Sequence, residues 1–143
     1  MRQARVWGSL LVMTALLLGG CGAMQSMGAT DILTGLLTNQ LGVTSNQAMG
    51  GVGSILSLAK ERLSSMNFTT LTNLIPGADT YMQKAKDLGA VTGPVGDRAG
   101  LTSAFSRLGM GSDMVPKFTQ ILSDFVGKAG GQPASNLVMQ AVQ

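Results

Sequence analysis

Apolar residues in this chain recur at every third or fourth position, and no stretch sustains the strict alternation of a half-buried strand. Leu33, Leu37 and Leu41 line up with Ile32 and Leu36 beside them, with Thr30 and Asp31 as capping residues and Gly42 as the stop. Thr44-Ser45-Asn46-Gln47 reads as a capping box, the hydroxyl of Thr44 and the amide of Gln47 satisfying backbone donors reciprocally. It opens a helix with Met49, Val52, Leu56, Ala59 and Leu63 on one stripe. A short helix follows through Asn67, Phe68, Leu71 and Ile75, closed by Pro76-Gly77. Ala78, Tyr81, Met82, Ala85 and Leu88 mark the next, ending at Gly89.

Residues 89–100, rich in glycine, form the main internal loop. Beyond it Leu101, Ala104, Phe105 and Leu108 define a helix that stops at Gly109. Ser112 or Asp113 caps a longer helix carrying Met114, Phe118, Ile121, Leu122 and Phe125, with Pro116 tolerated in its first turn. A last helix begins at Gln132-Pro133 and shows Ala134, Leu137, Val138, Ala141 and Val142. The fold predicted is all-α, a compact bundle of six or seven short helices. Leu41-Gly42-Val43-Thr44 and Leu108-Gly109-Met110-Gly111 repeat one grammar, a helix end, a glycine stop and an apolar residue before a new cap. Convergent capping and an old duplication both account for that echo.

The first twenty residues break this pattern. Arg2 and Arg5 head an apolar run from Val6 to Leu18, which Gly19 and Gly20 close. That is the order of a secretory signal peptide. The run of 13 residues is short of the roughly 20 a bilayer span needs. Leu18-Gly19-Gly20-Cys21 resembles the lipobox of bacterial lipoproteins, in which the leader is cut before the cysteine and the cysteine is acylated. The resemblance implies cleavage between Gly20 and Cys21, lipidation of Cys21, and a membrane partner held through the N-terminal lipid. One acyl chain anchors only reversibly, whereas two or more anchor stably. Gly22 stands where inner-membrane lipoproteins usually carry Asp, so the expected address is the outer membrane, facing the periplasm. The expected organisation is a leader over 1–20, a lipidated tether over 21–30 and one helical domain over 31–143.

With the leader gone, eight Lys/Arg face seven Asp/Glu, so the mature chain is nearly neutral. Nucleic acid is therefore not an expected partner, since phosphate binding needs clustered basic charge and usually stacking aromatics. Cys21 is the sole cysteine, which excludes an internal disulfide. Histidine is absent, which excludes His-dependent triads and His-ligated metals. No cofactor is implied.

Ser57-Leu58-Ala59-Lys60 has the S-x-x-K spacing that places a lysine one turn from a serine nucleophile. Its penicillin-recognising relatives also need partners like S-D-N and K-T-G. Ser112-Asp113-Met114 and Ser123-Asp124-Phe125 only half match the first, and K-T-G is missing. Asp97-Arg98 reads first as a helix start. Gly50, Gly53, Ser54 and Ser57 make a small-residue face suited to close approach of another helix. The eight methionines that follow the leader read mainly as core filler.

With these residues placed, residues 41–82 resemble the central signature of a bacterial family of unknown function grouped with VcgC and VcgE proteins. The features that carry the resemblance are Leu41-Gly42-Val43, Gln47-Ala48, Gly50-Gly51-Val52-Gly53, Leu58-Ala59-Lys60 and Ile75-Pro76-Gly77-Ala78. Residues 108–126 resemble its second half. That family supplies no catalytic residue or ligand. The expected function is binding or scaffolding in the envelope, with an envelope protein as partner. The alternatives are an envelope hydrolase using Ser57 and Lys60, and a carrier holding a lipid or other apolar ligand between helices.

Overall fold

A computed structural model describes residues 29–143. In chain order they form α1 (Ala29–Leu41), α2 (Ser45–Arg62), α3 (Ser65–Leu74), α4 (Ala78–Asp87), α5 (Arg98–Arg107) and α6 (Met114–Val142). No strand occurs among the described residues. The leader, Cys21 and most of the 21–30 tether lie outside them, and α1 takes in the last two tether residues.

Helix α6 is interrupted at Gly131, whose φ of 76° and ψ of −171° are not helical. The break sits just before the predicted start at Gln132-Pro133, so the bundle holds six helices or seven depending on how α6 is counted. Its two arms fold back on one another. The Ser135 hydroxyl donates to the Ser123 carbonyl at 2.8 Å, and the Ser123 hydroxyl to the Ser135 carbonyl at 3.4 Å.

Local chemistry sets most of the other ends. Thr44 Oγ1 accepts from the Gln47 N–H at 3.1 Å while Gln47 Oε1 accepts from the Thr44 N–H at 3.0 Å, the predicted capping box. Gly42 and Gly109 stop their helices with φ of 67° and 78°, a conformation that costs other residues strain. Two caps depart from expectation. Thr30 lies inside α1, which already begins at Ala29. Asp113 holds the cap position of α6, but its backbone is helical and its side chain caps nothing. Its carboxylate instead meets Lys117 Nζ at 2.9 Å. That hydrogen bond, then the ammonium charge, holds the Asp113 carboxyl below the ordinary aspartate range.

Helix α2 is the centre of the domain. Every residue from Gly50 to Ala59 is buried, and the helix packs against all five others, most extensively α4. A helix enclosed on all sides must be thin, and the glycines make it so. A Cβ at Gly53 would run into the backbone carbonyl of Tyr81 on α4. One at Gly51 would sit 2.5 Å from the Phe118 ring, and one at Gly50 2.7 Å from Leu108. Each glycine costs helix propensity of about 1 kcal/mol relative to alanine, and close packing offsets that cost. The small-residue face predicted for one neighbour thus serves several, with Gly51 included.

Ser54 and Ser57 return their hydroxyls to the Gly50 and Gly53 carbonyls at 2.7 and 2.8 Å, so no donor is stranded. Around this axis Phe105 and Phe118 meet edge to face, ring centroids 5.0 Å apart. Met110 is buried and Met49, Met82 and Met114 flank the core, whereas Met66 and Met139 are exposed at 79% and 44%. Ile32, expected beside the α1 stripe, is 53% exposed. Among the described residues no helix is long and apolar enough to cross a membrane.

Candidate functional site: the groove beside Ser57 and Lys60

Helices α2 and α4 touch where Gly53 meets Tyr81, and the chain leaving α4 returns along α2 before starting α5. This loop is held at both ends. Glu61, in the last turn of α2, accepts from the Val95 N–H at 2.7 Å with one oxygen and from the Gly96 N–H at 2.6 Å with the other. Arg107, on α5, donates to the Ala90 carbonyl and to Thr92 Oγ1, both at 3.2 Å. Asp97 then caps α5 by accepting from the Gly100 N–H at 2.8 Å, as its position predicts.

Between α2, α4 and this loop runs a groove of about 550 Å³, open to solvent. Ser57 contributes to its floor, Met82 and Lys86 form the α4 side, and residues 91–94 form the facing wall. Lys60 and Glu61 also line it. Val91 is buried and Met82 half-buried, so much of the lining is apolar.

The structure therefore places both members of the S-x-x-K pair on one groove but gives them different surroundings. Ser57 is 9% exposed and its hydroxyl proton goes to the Gly53 carbonyl. Lys60 is exposed and is not a hydrogen-bond partner of Ser57. Ser112, Asp113, Ser123 and Asp124, the partial matches to a second motif, are not in the groove lining. Cys21 and Gly20, the predicted lipidation and cleavage residues, lie outside the described residues. Among the described residues no three His, Cys, Asp or Glu side chains come together as a metal site.

Glu61 and Arg107 are what the sequence reading missed. Each acts on backbone groups 17 to 35 residues away, and no period along the chain encodes such a contact. A pocket of about 320 Å³ near the C-terminus is lined by Arg98, Thr119, Ser123 and Met139, and it too is open to solvent. Buried side-chain nitrogen and oxygen atoms among the described residues all have partners.

Neither the curated proteins nor the solved structures searched contain a match. A family model does match, over residues 20–143, which takes in the whole described bundle and begins one residue before Cys21. The chain belongs to the VcgC/VcgE family of proteins of unknown function (DUF2780).

Proposed function

We propose that this protein is a lipid-anchored binding or scaffolding protein of the bacterial envelope, held at the periplasmic face of the outer membrane by acyl chains on Cys21. The observation that carries the reading is Leu18-Gly19-Gly20-Cys21 at the end of a basic, then apolar, leader. The family match begins at Gly20, the last residue of that leader, and leaves residues 1–19 outside it.

Eight residue steps separate Cys21 from the start of α1 at Ala29. An extended chain of that length reaches at most about 29 Å. The start of α1 is the first part of the described domain along the chain from the anchor, and it is tied down there. The Tyr81 hydroxyl donates to the Thr30 carbonyl at 2.5 Å and lies 3.2 Å from Thr34 Oγ1.

Binding is favoured over hydrolysis because the Ser57 proton is already committed to Gly53. The test is metabolic labelling with an alkyne fatty acid. Native protein is expected to be labelled and processed, and Cys21→Ser to remain an unlabelled precursor. Label persisting in Cys21→Ser would refute the assignment. Crosslinking from envelopes then reads the binding role, with partner recovery expected to fall in the unanchored variant.

A further inference from the structure

We propose that the groove between α2, α4 and the 89–97 loop binds one anionic single-chain amphiphile, its head on Lys60 and Lys86 and its chain along Met82, Val91 and Pro94. This deepens the binding reading above, on which it rests, by naming the class of ligand.

Charge is the first argument. Lys60 and Lys86 are both exposed at the groove, and neither takes part in an ion pair among the described residues. The acids beside them keep their charge but are held by neutral donors. Each Glu61 oxygen accepts a loop N–H, and Asp87 Oδ1 accepts from Gln83 Nε2 at 2.9 Å. The groove lining thus carries two ammonium groups against the single carboxylate of Glu61, a net positive charge beside apolar Met82, Val91 and Pro94, and the methylene stems of the lysines extend that apolar surface.

Shape is the second. The volume of about 550 Å³ falls within the range of small-molecule sites, roughly 300–1,000 Å³. The walls are set before any ligand arrives, by the Gly53–Tyr81 contact on one side and by Glu61 and Arg107 on the other. Such preorganisation reduces the ordering cost of binding. An acidic peptide is the poorer fit. The α2 and α4 backbones are closed into their own helices, so the groove has no strand edge on which a peptide could pair.

The test uses the full chain in phosphatidylcholine nanodiscs, which hold it whether through acyl chains or an uncleaved leader. The probe is a diazirine analogue of dodecanoate. Labelling is expected on the peptides carrying Met82 and Val91, competed by dodecanoate about tenfold better than by dodecanol. Octanoate should compete more weakly, because each buried methylene is expected to strengthen binding by up to about fourfold. Lys60→Ala combined with Lys86→Ala should weaken labelling about tenfold with an unchanged melting temperature, as expected for two exposed side chains. Labelling elsewhere, equal competition by dodecanol, or equal displacement by inorganic phosphate or a pentaglutamate peptide would overturn the proposal. Because reconstitution does not depend on Cys21, a negative result here leaves the lipidation reading standing, and a negative labelling result at Cys21 leaves the groove to be judged on its own.

Discussion

Gly53 meets the backbone carbonyl of Tyr81 so closely that no Cβ fits between them. Helices α2 and α4 therefore touch backbone to side-chain-free backbone, which sets the floor of the groove and closes the domain around its thinnest helix. Gly53→Ala adds helix propensity of about 1 kcal/mol, but the new methyl must displace main chain, and overpacking of this kind costs about 1–3 kcal/mol. A net loss of up to about 2 kcal/mol in urea unfolding is expected. Gly35→Ala is the matched contrast, since a Cβ there meets nothing within 4 Å. It should stabilise by up to about 1 kcal/mol, and two variants moving in the same direction would contradict the packing account.

Gln47 joins the two segments that echo each other in sequence. Its Oε1 completes the capping box of α2, while its Nε2 donates to the Leu108 carbonyl at 3.0 Å, at the end of α5. Thr44→Ala removes the hydroxyl cap alone, at about 1 kcal/mol. Gln47→Ala removes its half of the box and the bond to Leu108, so it should cost about 1 kcal/mol more. Equal losses in the two variants would show that the bond between the segments contributes nothing.

What could be read in advance divides along sequence separation. Gly42, Thr44-Gln47, Gly89, Asp97 and Gly109 act on groups within a few residues, and their positions alone predict where α1, α2, α4 and α5 begin or end. The break in α6 was legible for the same reason, in Gln132-Pro133 following two glycines. Gln47 to Leu108, Glu61 to Val95 and Arg107 to Ala90 span 61, 34 and 17 residues, and a polar side chain carries no mark of a carbonyl or N–H that far off. Ile32 shows the complementary limit. Its spacing fits a helix stripe, but the face covered by neighbours is narrower than the stripe. The groove itself was out of reach because its wall is a loop, whose course is set by Glu61 and Arg107 rather than by any period.

Glu61→Gln tests whether that wall is fixed. The amide retains one acceptor oxygen and turns an N–H₂ toward the other backbone N–H, so one of the two grips is lost. Hydrogen bonds to charged groups contribute about 1.5–3 kcal/mol, with the lower end expected for an exposed carboxylate. Amide hydrogen exchange at Val95 and Gly96 should accelerate about tenfold, with the loop staying attached through Ala90, Val91 and Val95, which are buried in the core. Unaltered exchange at both amides would mean that the loop is held by packing alone.

Asp113 and Lys117 give a pH dependence whose sign follows from the structure. Lys117 lowers the folded-state pKa of Asp113 below its ordinary value of 3.8, so the pair favours the folded chain when the carboxylate is ionised. That contribution is fully present above about pH 3.8 and is lost as pH falls through the lowered folded value. Both side chains are well exposed, at 51% and 67%, so added salt should weaken the effect. An NMR titration of the Asp113 side chain should show a depressed midpoint that returns to the ordinary range in Lys117→Met. The stability difference between native protein and Lys117→Met should likewise narrow on acidification. A midpoint unmoved by Lys117→Met would mean that this ammonium does not hold the carboxylate in solution.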